Sequence, residues 1–200
     1  EDGIDPETGL PVISLYGDHK KPTEEDLQNV DVLVFDMQDV GVRFYTYIST
    51  MQLVMEAAAE YGRQVVILDR PNPNGSYIAG PIMEPEHVSF VGMAPIPVVH
   101  GLTIAELALM INGELWLSNG VFLDEGDLKV VKVPEYSHSD SYSLPVAPSP
   151  NLQTDESVIH YPSLGLFEST TISVGRGTDT PFEVIGLSLI HISEPTRQIR

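Results

Sequence analysis

The sequence predicts an α/β fold, built on a parallel sheet with flanking helices, and three observations support this. Residues 31–37 and 64–69 are apolar runs typical of buried strands. Residues 45–61, between them, are predicted to form a helix that Gly62 ends. The apolar side chains at helical spacing are Ile48, Met51, Met55 and Ala58. Strand, helix and strand in this order are typical of a parallel βαβ unit.

Shorter elements are predicted on either side of this unit. Residues 11–16 (PVISLY) resemble a short strand. Thr23, followed by three acids, resembles a helix N-cap, because a helix N-terminus favours negative charge. After the second strand of the unit, residues 70–75 (RPNPNG) contain two prolines and a glycine, which predict a turn-rich loop.

The second half of the chain continues the alternation. Residues 95–99 (PIPVV) resemble a strand end, and residues 128–133 (LKVVKV) alternate as a strand does. Thr103 and Glu106 have the spacing of a capping box, which predicts a helix to about Ile111. Residues 135–150 form a polar, proline-bearing loop long enough to be a lid or a site wall. Residues 157–161 are predicted to be helical.

Composition and motifs exclude several classes of function. The 200 residues carry a formal net charge of −19, which disfavours binding to nucleic acid or to an anionic membrane. No apolar run is long enough to span a bilayer. Cysteine is absent, so disulfides, zinc–thiolate sites and cysteine nucleophiles are excluded. The glycine motifs of nucleotide sites and the G-x-S-x-G motif of serine hydrolases are absent too, so we expect no cofactor.

Polar residues are concentrated just after the strand at 31–37. Asp36, Gln38 and Asp39 lie where open α/β sheets bind ligands, and the two carboxylates could hold sugar hydroxyls, bind a metal or transfer protons. Alternatively, Asp39 caps the next helix and Asp36 pairs with Arg43. These residues are therefore the first candidates for a site that binds a polar small molecule.

Arginine and tyrosine follow in the same segment. Arg43, Tyr45 and Tyr47 alternate, and a guanidinium with aromatic hydroxyls suits a sugar bearing an acidic group. Ordinary packing at a helix start is the alternative. Arg70 and Asn72, after Asp69 at the end of the next strand, would lie at the same sheet edge as Asp36 if the strands are parallel neighbours.

Weaker candidates lie further along the chain. Glu84 stands in a proline-bearing segment that would hold a carboxylate in place. His100 precedes a glycine at a predicted strand end. Glu168 follows Leu166 and Phe167, whose apolar side chains would raise its pKa and suit it to act as a general acid. Arg176, between two glycines, is placed for an anion-binding turn.

Six blocks in order carry a resemblance to a known family. They are DVLVFDMQDVGVRFYTYIST (31–50), LDRPNPNG (68–75), GPIMEPEHVSFVG (80–92), PIPVVHGLTIAELA (95–108), PSPN (148–151) and SVGRGTDTPFE (173–183). Together they resemble the exo-β-N-acetylmuramidases of the NamZ type over residues 3–186. The block around Glu168 departs from the family, which usually has Glu-Gly-Thr-Asn where this chain has Ser169, Thr170 and Thr171 after the glutamate.

The resemblance implies an activity and a substrate. The family releases terminal N-acetylmuramic acid from the non-reducing end of peptidoglycan fragments, which implies an extracytoplasmic location in a bacterium. Glu168 is then the first candidate for one catalytic carboxyl group. The other would be an upstream glutamate, with Asp36, Asp39 and Glu84 as reserves. Arg43, Arg70 and Arg176 become candidate partners of the lactyl carboxylate. The PSPN block adds Asn151 to the candidate substrate-binding residues.

The resemblance also implies a domain organisation. We expect an incomplete Rossmann-like domain at residues 1–134 that lacks its first strands and an upstream catalytic glutamate. Residues 135–186 would form a cleft loop and the start of a smaller C-terminal α/β domain. Residues 187–200 resemble a non-native tail, which we expect to be poorly ordered. Such a fragment would expose an unpaired sheet edge, and we expect it to be unstable or inactive alone.

Three hypotheses about function remain at this point. The first is the glycoside hydrolase, and the second is a non-catalytic module that binds cell-wall sugar on the same scaffold, because fold does not fix function. The third is a metal-dependent hydrolase with Asp36 and Asp39 as ligands. The sequence has no cluster of histidines and aspartates to support that third hypothesis.

Overall fold

The computed structural model describes residues 2–187. The chain divides into two compact units, Glu1–His138 and Ser139–Arg200. The predicted tail, residues 187–200, lies outside the described residues except for Leu187.

The first unit is centred on a three-stranded parallel sheet. Before this sheet, two antiparallel strands of two residues each, β1 (Gly3–Ile4) and β2 (Pro11–Val12), form a hairpin. The sheet has the order β3 (Val32–Phe35), β4 (Gln64–Leu68) and β5 (Leu128–Val131). Its register places Val32 beside Gln64 and Val65 beside Leu128. Helix α1 (Tyr47–Tyr61) connects β3 to β4. Helix α2 (Ile104–Gly113) follows β4 and precedes β5 along the chain. The predicted α/β fold with a parallel βαβ unit is therefore confirmed.

The two helices and the sheet enclose the main apolar core. Met51 and Met55 of α1, Val65 and Ile67 of β4, and Leu107 of α2 are completely buried. Each such side chain contributes roughly 1.5–3 kcal/mol by leaving water.

No helix within residues 2–187 is both long and apolar enough to cross a lipid bilayer.

The helix ends follow the predicted signals. Gly62 ends α1 in the left-handed conformation, with φ of +64°, and its N–H donates to the Ala58 carbonyl. Thr103 and Glu106 form a reciprocal capping box at the start of α2. These local signals place both helices with respect to the sheet.

Strand β3 differs from the prediction of a buried strand at 31–37. It lies at the edge of the three-stranded sheet and covers only Val32–Phe35. Phe35 is buried, whereas Val32 and Val34 are 42% and 60% exposed. An apolar run does not distinguish an edge strand from a central one, because both use β-branched residues. Among residues 2–187, no strand pairs with the outer edge of β3, where Val32 and Val34 are exposed.

Three shorter predictions are corrected. The strand predicted at 11–16 ends at Val12. Thr23 and Asp26 exchange the hydrogen bonds of a cap, but only turns follow, so no helix forms there. Residues 95–99 form no strand, and Val99 makes single bridges to Val42 and Ala79. In each of the three cases a short motif favours the predicted element, but the surrounding residues do not continue that element.

The second unit has its own small elements. Helix α3 (Asp155–Leu164) starts at a capping box formed by Thr154 and Ser157, which confirms the helix predicted near 157–161. Strand β6 (Ile172–Ser173) pairs antiparallel with β7 (Gly186–Leu187). Tyr161 and Phe182 pack edge to face, with ring centroids 5.0 Å apart. This aromatic pair anchors α3 to the loop before β7.

An ion pair fastens the segment before β3 to α1 and yields a stability prediction. Lys21 Nζ lies 3.4 Å from Oε2 of the buried Glu56 and 2.8 Å from Oε1 of Glu60. Lys21→Met would remove the cation from the buried Glu56 carboxylate and leave the hydrogen bond that the Ser118 hydroxyl donates to Oε1 (3.0 Å). We expect a loss of about 1–3 kcal/mol in the free energy of unfolding, measured in urea. The exposed Lys129→Met is the matched control, and an equal loss there would contradict the assignment.

Candidate functional site

The carboxyl ends of β3 and β4 bring together one pair of predicted site residues. Asp36 Oδ1 accepts hydrogen bonds from Arg70 Nε (2.9 Å) and Nη2 (2.6 Å). Both side chains remain partly exposed to solvent. The prediction that polar residues after these strands share one edge is confirmed for this pair. Asp36 therefore pairs with Arg70 rather than with Arg43.

Asp39 and His100 form a buried pair behind this edge. His100 Nε2 lies 3.3 Å from Asp39 Oδ2, and the two side chains are 0% and 4% exposed. Nδ1 of His100 accepts from the Leu102 N–H (3.2 Å), which places the ring hydrogen on Nε2, and this buried atom lies near Asp39 without a hydrogen bond among the described residues. Oδ2 of Asp39 also accepts from the Gly41 N–H (2.8 Å). The pair therefore joins the loop after β3 to the loop before α2.

Asn72 forms a second set of buried hydrogen bonds, which join the loop after β4 to neighbouring segments. Its Nδ2 donates to the Leu102 carbonyl (2.9 Å), and its Oδ1 accepts from the Asn74 N–H (2.8 Å). The Tyr136 hydroxyl accepts from the Asn72 N–H (3.1 Å) and donates to its carbonyl (3.0 Å). The predicted turn-rich loop is thus held rigidly by side-chain bonds from within and from residue 136. Asn72 itself is buried, which suits a role in shaping the site.

The contact between Gly41 and Asn72 can be tested by substitution. Gly41 has φ of +77°, and a Cβ added there would lie 2.3 Å from Asn72 Oδ1. Gly17 has a similar φ of +75°, but a Cβ there would meet nothing within 4 Å. We expect Gly41→Ala to cost at least about 1 kcal/mol more than Gly17→Ala, because only the former adds a clash to the backbone strain. Equal losses by thermal unfolding would show that Asn72 does not limit this position.

Two other predicted binding residues hold loops together. Arg43 Nη1 donates to the carbonyls of Pro81 (2.8 Å) and Ile96 (2.5 Å), and burial lowers the pKa of its guanidinium. Gln38 Nε2 donates to the carbonyls of Asp39 (2.7 Å) and Pro71 (2.9 Å). These bonds connect the loops at the sheet edge and occupy Nη1 of Arg43 and Nε2 of Gln38.

The aromatic candidates pack against each other. Tyr45 and Tyr47 lie edge to face, with ring centroids 5.1 Å apart. Tyr47 also packs on the main core at the start of α1. This arrangement agrees with ordinary packing, the alternative considered for these residues.

Glu84 lies apart from these contacts, on an exposed short 3₁₀ turn at Pro85–His87. Ligand atoms of Glu84, Glu86 and His87 lie within 4.8 Å of one another, so they could hold a cation, although all three are exposed. The other proposed metal ligands, Asp36 and Asp39, already contact Arg70 and His100. Within residues 2–187 those two carboxylates belong to no cluster of three or more potential ligands.

In the second unit, Glu168 and Arg176 lie together. Arg176 Nε is 2.7 Å from Glu168 Oε1, and the Glu168 side chain is 27% exposed. Burial raises the pKa of the Glu168 carboxyl, and the Arg176 charge opposes this only in part. Gly175, Arg176 and Gly177, predicted to form an anion-binding turn, lie in a turn that the Thr178 N–H closes by donating to the Gly175 carbonyl (3.0 Å). Its arginine contacts a carboxylate, as it would contact an anion in the predicted turn.

Asn151, the remaining candidate, lies in a turn before α3. Its N–H donates to the Ser149 hydroxyl (3.3 Å), and Ser149 and Leu152 form a bridge around it. The side chain is half-buried. The turn therefore fixes the backbone of the PSPN block.

A polar cluster lies at the start of α2, and local sequence patterns do not predict it. Asp69 accepts from the Thr103 hydroxyl (3.1 Å) and the Ala105 N–H (3.0 Å). Glu106 Oε1 contacts His138 Nε2 at 3.1 Å. Burial alone would raise the pKa of Glu106, but the Thr103 N–H and the His138 ring hold it below its ordinary value. The capping-box motif predicted a structural role for Glu106. No local pattern predicted its contact with His138, which is 32 residues away in the sequence.

This cluster borders a cavity of about 270 Å³ at the carboxyl end of β5. Lys132 and Val133, which follow that strand, line it together with Asp69, Glu106 and Tyr136. The cavity and the Asp36–Arg70 pair therefore both lie where parallel α/β sheets bind small molecules.

Comparison with known families gives two matches. Residues 1–156 match the family described as "Exo-beta-N-acetylmuramidase NamZ, N-terminal". Residues 159–199 match the corresponding C-terminal family.

Individual relatives agree with these matches. The chain is 54% identical over 196 residues to the peptidoglycan beta-N-acetylmuramidase NamZ of Bacillus subtilis (strain 168), covering 96% of this chain and 46% of the relative. Two crystal structures of DUF1343 family proteins from Bacteroides fragilis NCTC 9343 each superpose with a TM-score of 0.85. Their identities are 49% and 44%, over 92% and 91% of this chain and 50% and 48% of theirs. The chain thus spans about half the length of these relatives.

Proposed function

This chain belongs to the exo-β-N-acetylmuramidase NamZ family, and we propose that it forms part of a glycoside hydrolase acting on peptidoglycan fragments. The enzyme would release terminal N-acetylmuramic acid from the non-reducing end. The observation that supports this most is 54% identity, over nearly the whole chain, to a relative named as a peptidoglycan beta-N-acetylmuramidase. A peptidoglycan substrate also supports an extracytoplasmic location.

Glu168 is our candidate for the catalytic acid. Glycoside hydrolysis uses two carboxyl groups, one of which must be protonated to donate to the leaving oxygen. The partial burial that raises the pKa of Glu168 favours that protonated form. Arg176 would then orient the carboxyl group, because its guanidinium already binds one carboxylate oxygen.

A second group must complete the reaction. Asp36 and Glu84 are the accessible reserve carboxylates of the first unit, whereas Asp39 is buried against His100. We therefore assign Asp39 and His100 a positioning role. The N-acetyl group of the substrate is an alternative nucleophile, with a protein carboxylate orienting it.

Arg70 is our candidate for binding the lactyl carboxylate of muramic acid. Its guanidinium is accessible at the sheet edge and already binds the Asp36 carboxylate through two nitrogens. A ligand carboxylate could take the same donors. Arg43 is less suitable because its Nη1 is bound to two backbone carbonyls.

The alternative function is a non-catalytic module that binds cell-wall sugar. It is favoured by one observation: the carboxylates of Asp36, Asp39 and Glu168 already lie against Arg70, His100 and Arg176. In that case the same arginines would bind the sugar, and no bond would be broken. The two functions differ in turnover and not in ligand.

A hybrid enzyme tests the proposal. Residues 2–187 of this chain would replace the matching segment of the Bacillus subtilis relative, and this protein is called the hybrid below. We expect the hybrid to release free N-acetylmuramic acid from soluble muramic-acid-terminated fragments, detected by mass spectrometry. A folded hybrid that binds the fragments and releases nothing would support the binding module instead.

A further inference from the structure

Phe182, in the second unit, has a backbone conformation that is unusual for its residue type. Its φ of +60° lies in the left-handed region, which favours glycine and in which a bulky side chain is an outlier. The side chain is also buried, at 1% exposure. Backbone strain of this kind persists only where the surroundings hold a residue in place, and it is concentrated at functional sites. Phe182 is therefore a candidate for a role beyond packing.

Several contacts hold Phe182 beside the turn at residues 175–178. Its N–H donates to the Val174 carbonyl (2.7 Å), and its ring packs edge to face on Tyr161 of α3. A Cβ on Gly175 would lie 2.7 Å from the Thr180 carbonyl oxygen, so the two segments meet without room for a side chain at that position. The position of the ring relative to the turn is therefore fixed.

The face of this ring carries the guanidinium of Arg176. Arg176 Cζ lies over the Phe182 ring, 5.5 Å from its centroid. A guanidinium within about 6 Å of a ring centroid is attracted by the negative charge of the ring face. The Nε atom of the same guanidinium is 2.7 Å from Glu168 Oε1. Arg176 thus connects a fixed aromatic ring to the candidate catalytic acid.

The exposure of Arg176 explains why the aromatic contact matters. Its side chain is 56% exposed, and a single exposed ion pair orders an arginine only weakly, because water competes for both charges. A second contact, on the ring face, removes orientations in which the guanidinium would leave Glu168. Of the other acids in this segment, Asp179 is exposed, and Glu183 accepts a hydrogen bond from the Thr154 hydroxyl.

We propose that Phe182 is a positioning residue, whose ring holds the Arg176 guanidinium against Glu168 and so orients the carboxyl group that donates the proton. The catalytic part of this inference rests on the proposed function, whereas the contact itself can be measured without turnover. The inference gives the SVGRGTDTPFE block (173–183) a residue that acts on the acid through Arg176.

NMR titration of the glutamate carboxyl carbons in the full chain tests the contact. The Glu168 signal is assigned by its loss in Glu168→Gln. The Arg176 charge lowers the pKa of Glu168, so a displaced guanidinium should let that pKa rise. Trifluorophenylalanine in place of Phe182 weakens the negative ring face and changes the ring size little. We expect the pKa of Glu168 to rise in this variant and in Phe182→Leu, toward its value in Arg176→Gln.

Two controls separate this role from a merely structural one. Phe90→Leu removes a ring that carries Lys20 Nζ at 4.8 Å in the first unit, and it should leave the pKa of Glu168 unchanged. In an Arg176→Gln background, changing Phe182 should raise the pKa no further, because the charge held by the ring is already gone. A further rise in that background would overturn the proposal. So would an unchanged pKa in the trifluorophenylalanine variant, which should keep the fold even if Phe182→Leu does not.

Turnover by the hybrid gives the catalytic readout. We expect Phe182→Leu to lower kcat at least about fivefold with little change in KM, the loss expected for one cation–ring contact that orients the acid. The descending limb of its kcat/KM profile should move to higher pH, as a higher pKa of the acid requires. Phe90→Leu should change neither kcat nor the limb. A lower unfolding temperature of Phe182→Leu with unchanged kcat and limb would show a structural role only and overturn the proposal.

The positioning role and the proposed function can fail separately. A pKa of Glu168 that depends on Phe182, with no muramide hydrolysed by the hybrid, would support the contact and oppose the hydrolase. Hydrolysis by the hybrid, with both the pKa and kcat indifferent to Phe182, would support the hydrolase and overturn the positioning role.

Discussion

His100→Ala is expected to destabilise the chain by about 1–3 kcal/mol, because it removes the buried imidazole beside the Asp39 carboxylate and the ring nitrogen that accepts from the Leu102 N–H. The loss would appear as a lower urea midpoint with an unchanged slope. His100→Gln should recover part of the stability, since its side chain fills part of the space of the ring and its amide nitrogen can donate to the Asp39 carboxylate.

The control for this prediction is His87→Ala, which removes an exposed histidine 3.9 Å from Glu84. We expect it to change stability by no more than about 0.5 kcal/mol, as exposed substitutions usually do. If His100→Ala were as mild as His87→Ala, the Asp39–His100 pair would not hold the two loops together.

Glu168→Gln is expected to lower turnover by the hybrid about 10²–10⁴-fold while substrate binding is retained. Glutamine keeps the shape of the side chain but cannot donate the proton that the leaving oxygen needs. The measurement is kcat and KM on the muramic-acid-terminated fragments. Glu156→Gln, at an exposed position in the first turn of α3, is the matched control and should leave both constants unchanged. Unchanged turnover in Glu168→Gln would remove this residue from the mechanism.

The Arg176 charge gives this prediction a direction in pH. A general acid must be protonated, so activity falls as the pH rises through its pKa. Arg176 lowers the pKa of Glu168, and Arg176→Gln should therefore move the descending limb of the kcat/KM profile to higher pH. Arg176→Lys keeps the positive charge and should leave that limb near its wild-type position. A limb that does not move in Arg176→Gln would mean that another group sets it.

The parallel βαβ unit and its helices could be predicted from the sequence because their signals are local. Helical spacing at Met51 and Met55, the glycine at residue 62 and the capping box of α2 each lie within a few residues of the element they define. The place of β3 could not be predicted in this way. Its position at the sheet edge depends on which strands pair with it, and its apolar residues are compatible with either position.

The candidate site was predicted less completely, since its contacts join distant segments. The sequence located Asp36 and Arg70 at one edge because parallel neighbours align their strand ends. It could not show that His100 lies against Asp39, or that His138 lies against Glu106. Such pairs form only when loops fold over the sheet, and no local pattern encodes them. The resemblance to a family supplied the chemistry that the local patterns left open.

Release of p-nitrophenol from para-nitrophenyl β-N-acetylmuramide tests the central proposal most directly. The hybrid would be compared with the Bacillus subtilis relative, and para-nitrophenyl β-N-acetylglucosaminide, which lacks the lactyl group, would be the control substrate. The account predicts release from the muramide only, by both proteins. A folded hybrid that leaves the muramide intact, while the relative cleaves it, would contradict the proposal that this chain belongs to a working muramidase.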